Sequence, residues 1–177
     1  MQSILAAVFL AAVTLSPPQP KLVDQTGHAF TLAALRGTPV ALTFVSAHCS
    51  DACPLIDAQF SAAAAALERR HVPLRLLTVT LDPERDSLAD MRRLAKTFSA
   101  NPRRWIVAGG SIADVHAVMH AFGVVARRGA DGFADFHSTV VYLIDAHGTF
   151  RKIMLPSTNL PDQLIGEVHS GALAVAR

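Results

Sequence analysis

The chain holds only two cysteines in 177 residues, which excludes a small fold stapled by disulfides. It has no run of five or more Lys or Arg, and 16 basic against 14 acidic residues leave a formal charge of +2. A nucleic-acid surface needs a basic stripe, so the composition offers no support for that function. Charged residues make up only 17% and hydrophobic ones 51%, which excludes a disordered chain. No apolar stretch reaches the roughly 20 residues of a membrane-spanning helix. Beyond Pro20 there is no linker, repeat or low-complexity block. The length suits one domain with a real core.

Ile4 to Leu15 read ILAAVFLAAVTL and are followed by Ser16-Pro17-Pro18. This matches the length of a signal-peptide apolar region ending at a helix breaker, although no Lys or Arg precedes it. The expectation is export, with residues 1–19 as a signal peptide or a short membrane anchor and 20–177 as the folded domain. An uncleaved segment would tether the chain to a membrane. The compartment would be a bacterial periplasm or the outer face of the inner membrane, where disulfides can form.

From there the pattern alternates. Gln25-Thr26-Gly27-His28 reads as a hairpin turn. Pro39–Val45 is a buried strand, Cys53–Arg70 a helix and Leu74–Leu81 a second strand. The Ala-rich run Ser61–Leu67 fits the helix, since Ala has the best helix propensity. Ser87–Ser99 is a helix with Ser87 as N-cap and Asp90 three residues on, close to a capping box. Trp105–Ala108 is a strand, and Ser111–Phe122 a helix with Val115, Val118, Met119 and Phe122 on one face. Thr139–Ile144 and Thr149–Met154 form strands around the turn Asp145–Gly148, and Leu160–Ala174 is a last helix with Pro161 in its first turn. The expected fold class is α/β: a central mixed sheet flanked by helices, opened by a hairpin. In such sheets functional groups collect beyond the carboxyl ends of the strands.

Both cysteines lie in one such loop, directly after the strand PVALTFV, in His48-Cys49-Ser50-Asp51-Ala52-Cys53-Pro54. Residues four apart on a helical turn share a face, so the two sulfurs can converge on one ion or on each other. A helix N-terminus favours thiolate over thiol, so lowered cysteine pKa values are expected. Pro54 fits the first turn, where its missing N–H costs nothing. Two soft thiolates select Cu(I) or zinc over magnesium or calcium, and Cu(II) needs a further ligand such as imidazole.

Eight histidines compete for that role. His116 and His120 have ligand spacing on a helix but lie off its apolar face and read as solvated. His48 adjoins Cys49, with a side chain expected to point elsewhere. His28 and His147 sit in turns, His71 and His169 near helix ends, and all four read as surface residues. His137 stands apart, in Asp135-Phe136-His137-Ser138-Thr139 just before the strand VVYLID. Asp82 to Asp86 puts four charges in five residues after a strand. It reads as a strand-exit turn held by local charge pairs rather than an acidic partner surface.

Taken together these segments resemble the SCO/SenC family, thioredoxin-like copper proteins of cytochrome c oxidase assembly. The resemblance runs from about Val23 to Val168. It is carried by Asp24-Gln25-Thr26-Gly27, Leu35-Arg36-Gly37-Thr38-Pro39, Thr43-Phe44 and Cys49–Pro54, similar to the family's CPDxCP motif. Asp82–Ser87, Trp105 with Gly109, and Phe122-Gly123-Val124 add to it, as do His137-Ser138-Thr139, Tyr142–Asp145 and Gly148. It implies a thioredoxin-like fold in which the loop entering the strand after His137 faces the cysteine loop. It implies that Cys49, Cys53 and His137 bind one copper ion per domain, Cu(I) or Cu(II). The implied function is a metallochaperone, delivering copper to the dinuclear copper centre of an oxidase subunit or preparing that centre's thiols. The implied partners are that copper-accepting subunit and another thiol-redox protein or copper chaperone. Two positions depart from the family pattern: Ser50 replaces the first motif Pro, and Phe136 stands where an Asp usually precedes the histidine.

An enzymatic alternative is a thiol–disulfide oxidoreductase using the Cys49/Cys53 pair. Against it, thioredoxin-type enzymes carry Cys-x2-Cys and a cis-proline before the strand that here begins at Thr139. A peroxidase on the same scaffold is disfavoured too, because the Pro-x3-Thr-x2-Cys pattern is absent: Val45 and Ser46 precede Cys49.

Overall fold

Strict alternation along the strands decides the architecture. In β3 (Val40–Val45), Ala41 and Val45 enter one apolar cluster while Val40, Leu42 and Phe44 enter another. The same split recurs in β4 (Arg75–Thr80), β5 (Trp105–Gly110) and β8 (Val141–Ile144). Side chains of a strand alternate between faces, so strands that feed both clusters are covered on both sides.

The chain is described by a computed structural model over residues 19–49, 53–128, 134–136 and 140–173. Strands β1 (Leu22–Asp24) and β2 (Ala29–Phe30) form the expected hairpin, and β9 (Phe150–Met154) pairs back on β8. These join the other strands in a seven-stranded sheet of order β2-β1-β5-β4-β3-β8-β9. Strands β3, β4 and β5 run parallel, while β1, β8 and β9 run antiparallel to their neighbours. The sheet is therefore mixed, as expected. Helices α1 (Cys53–Arg69), α2 (Leu88–Thr97) and α4 (Leu160–His169) contribute to one apolar cluster and α3 (Ile112–Ala121) to the other. In the first cluster Phe60 meets Trp105 edge-on at 5.8 Å between ring centroids, and the Trp105 indole N–H donates to Thr78 Oγ1 at 2.9 Å.

Two sequence expectations are corrected. The last helix ends at His169, not Ala174, because Gly171 takes φ +75°, the left-handed conformation that closes helices. A short antiparallel pair, β6 (Arg127–Arg128) with β7 (Ala134–Phe136), was not expected. Strands this short carry no periodic signal.

The topology positions the loops that matter. Because β3 and β4 run parallel in register, with Val45 opposite Thr80, their exits lie side by side. The entry to β8 lies at the same end, where Thr43 Oγ1 donates to the Val140 carbonyl at 2.9 Å.

Candidate metal centre

The cysteines stand on two elements, the head of α1 and a turn leaving β3. Cys53 is the first residue of α1 and is 1% exposed, packed in the core with Ile56 and Phe60. Cys49 ends a turn leaving β3, where its N–H donates to the Ser46 carbonyl at 3.2 Å. It is partly exposed, and neither cysteine is in a disulfide. The Cys49 side chain hydrogen-bonds the Cys53 thiol, so the convergence expected from the spacing is present.

The expected lowering of both thiol pKa values does not hold for Cys53. Burial pushes its thiol up, and the bond to Cys49 adds to this. A backbone hydrogen bond from Ser46 pulls the other way and does not compensate. Burial in apolar surroundings disfavours the thiolate more than a helix N-terminus favours it. A bound cation reverses that balance, because coordination removes the thiol proton outright.

A cleft of about 350 Å³ opens beside the pair, lined by Cys49, Cys53, Asp57, Arg93, Thr97 and Phe98 among others. Asp57, 1% exposed, has one carboxyl oxygen without a hydrogen-bond partner. Burial raises its pKa to about 7.

The loop before Cys49 is held by Asp86. This carboxylate is buried beneath residues 46–48 and accepts the Ala47 N–H at 3.0 Å. His48 Nδ1 lies 2.8 Å from its other oxygen. The sequence reading made Asp82–Asp86 a strand-exit turn rather than an acidic surface. Both aspartates are indeed buried, and Asp82 accepts the backbone N–H groups of Arg85 and Asp86 through its carbonyl. What that reading missed is the reach of Asp86 into the cysteine loop. The available signal was topological: adjacent parallel strands bring their exits together.

The other histidines stay off the site. His28, His71, His116, His120, His147 and His169 are all exposed, and His116 Nε2 lies 3.4 Å from Glu84. His137, the expected third ligand, lies outside the described residues. Among the described residues no group of three His, Cys, Asp or Glu side chains makes a complete metal site. Two converging thiols, one buried and one open to a cleft, form a soft donor set suited to Cu(I).

Residues 18–172 match the family model described as SCO1/SenC. The chain belongs to the SCO1/SenC family. The SCO2 homologue of zebrafish mitochondria (Danio rerio) is 32% identical over 147 residues, covering 80% of this chain and 52% of the relative. This chain spans about half the length of that relative and of the bovine and human SCO2 homologues it also matches. Among solved structures, Arabidopsis thaliana ScoI with copper bound is 28% identical, with a TM-score of 0.71 over 85% of this chain and 96% of that one. Bradyrhizobium japonicum ScoI with copper bound is 26% identical, with a TM-score of 0.73 over 85% and 95%. The thioredoxin-like architecture expected from the resemblance is the observed one. Among the described residues of this SCO1/SenC chain no helix is long and apolar enough to cross a membrane.

Proposed function

We propose that this protein binds one copper ion through Cys49, Cys53 and His137 and works as a copper metallochaperone. The acceptor is the dinuclear copper centre of a cytochrome c oxidase subunit, which the protein loads or whose thiols it prepares. The observation that carries this reading is the contact between the Cys49 and Cys53 thiols at the mouth of a cleft. Two thiolates suit Cu(I), and an imidazole completes a site that also holds Cu(II). The copper-bound solved relatives support the choice of metal. The entry of β8 beside the exit of β3 supports His137 as third ligand, since the chain reaches β8 directly from it. Export, with the segment 4–15 as signal or anchor, belongs to the same reading.

The chemistry of the pair makes loading sensitive to redox state. Cys49 is the accessible sulfur and Cys53 the buried one, so copper enters through Cys49 and displaces the Cys53 proton on closing the site. Oxidation of both thiols to a disulfide removes two electrons and two protons and leaves no thiolate for the metal. The same asymmetry favours a second reading. Cys49 attacks a partner disulfide, Cys53 resolves the mixed disulfide, and the partner leaves with both its thiols reduced.

A transfer assay separates the two readings. The copper-loaded protein is mixed anaerobically with the copper-free, thiol-reduced acceptor subunit, and copper on each is counted after separation. Movement of copper to the acceptor is expected. Retention of copper, together with reduction of an oxidised acceptor by the metal-free protein, would replace the chaperone with the thiol reductase.

A further inference from the structure

One carboxylate organises every residue of the loop stem that presents Cys49. Asp86 Oδ2 accepts the Ala47 N–H at 3.0 Å and the Thr80 hydroxyl at 2.6 Å. Asp86 Oδ1 accepts the Ser46 hydroxyl at 3.4 Å and lies 2.8 Å from His48 Nδ1. The Asp86 side chain has no exposed surface, while His48 is about one-third exposed. Residues 46, 47 and 48 are thus bound to one anion, and the Thr80 bond fastens that anion to β4. Cys53 sits at the head of α1 in the core, and its thiol also takes a backbone hydrogen bond from Ser46 of the stem. The distance between the two sulfurs is set by where this Asp86-held stem meets the head of α1.

Two ligands serve one small ion only when each is held within about 0.5 Å of its working position. A buried charge sharing four hydrogen bonds holds its partners firmly, since charge-assisted bonds are roughly twice as strong as neutral ones. The carboxylate also fixes the His48 ring with Nδ1 as the protonated nitrogen. We propose that Asp86 is a positioning residue for the cysteine pair, holding Cys49 at working distance from Cys53. This rests on the copper reading and names the support that its ligand geometry requires. The last Asp of the Asp-Pro-Glu-Arg-Asp stretch then has a task beyond closing a turn.

Asp86→Asn keeps the shape but turns one acceptor into a donor that faces other donors. Groups behind metal ligands typically govern affinity, so Cu(I) affinity measured by chelator competition is expected to fall about 10–100-fold. The thiolate-to-Cu(II) absorption band should shift as well, with the far-UV spectrum unchanged. A purely structural role lowers the unfolding temperature without moving that band. His48 supplies a second test that leaves the buried carboxylate intact. His48→Asn keeps a donor near the place of Nδ1 and should stay within about 3-fold of wild type, while His48→Leu should lose about 10-fold.

Unchanged copper affinity and band in Asp86→Asn and His48→Leu would overturn the proposal. Equal losses in His48→Asn and His48→Leu would also overturn it, assigning the effect to the imidazole itself. If the wild type takes no copper, the copper reading fails, and the Cys49–Cys53 reduction potential decides on Asp86. A tenfold change in that equilibrium, about 30 mV, in Asp86→Asn supports positioning, and an unchanged potential overturns it.

Discussion

Asp57 sits inside the protein with its pKa raised to about 7 by burial. Between about pH 4, where an unfolded Asp ionises, and pH 7 the folded state therefore holds a proton the unfolded state has released. Stability falls with rising pH wherever the folded state binds more protons. The wild type should lose stability over this window. Asp57→Asn should lack that slope, gaining about 3 kcal/mol on the wild type at pH 7 relative to pH 4. Urea melts at the two pH values check this, and parallel losses in both proteins would contradict it. Nothing in the sequence announced Asp57, because a carboxylate four residues into a helix normally reads as an exposed face. The pairing of Cys49 with Cys53 was legible from their spacing, but the Asp86 support that holds it was not. The high pKa of Cys53 was not, because burial depends on what α1 packs against.

Helix α2 shows what the sequence states most clearly. Ser87 caps it, with its hydroxyl accepting the Asp90 N–H at 3.2 Å, while Asp90 Oδ2 accepts the Ser87 N–H at 2.8 Å. The bond from the Ser87 side chain, then the one from its backbone, holds the Asp90 carboxyl down at about 2. A depressed carboxyl stabilises above its unfolded pKa, so this contribution is lost as pH falls from about 4 to about 2. Ser87→Ala should cost about 1 kcal/mol at neutral pH and flatten the acid slope. Thermal melts from pH 2 to 5 check it, and an unchanged slope would contradict it. Both partners lie three residues apart, so the motif could be read directly. The end of α4 could not, because the left-handed Gly171 only matters once the helix has reached it. Pairing of β6 with β7 escaped for lack of length.

At the scale of the molecule, alternation of buried strands and amphipathic helices made the mixed sheet legible, and the Cys-x3-Cys-Pro, DPERD and HST segments together made the family legible. Register was not legible, and register brings the exits of β3 and β4 together. The Asp86 network follows from it, so a segment that reads as a local turn supports the cysteine loop instead. The fold thus brings a thiol at the head of α1 against one on the Asp86-held loop beside one cleft, and that arrangement is the basis of the copper reading.

The most direct test is anaerobic titration of the reduced protein with Cu(I), then Cu(II), beside the Cys49→Ser/Cys53→Ser and His137→Ala variants. The account predicts one equivalent of either ion on the wild type and none on the double cysteine variant. His137→Ala should keep Cu(I) and bind Cu(II) about 10-fold or more weakly, as loss of one ligand from a three-ligand site implies. No stoichiometric copper on a wild type whose Cys49 and Cys53 cycle readily between dithiol and disulfide would contradict the account.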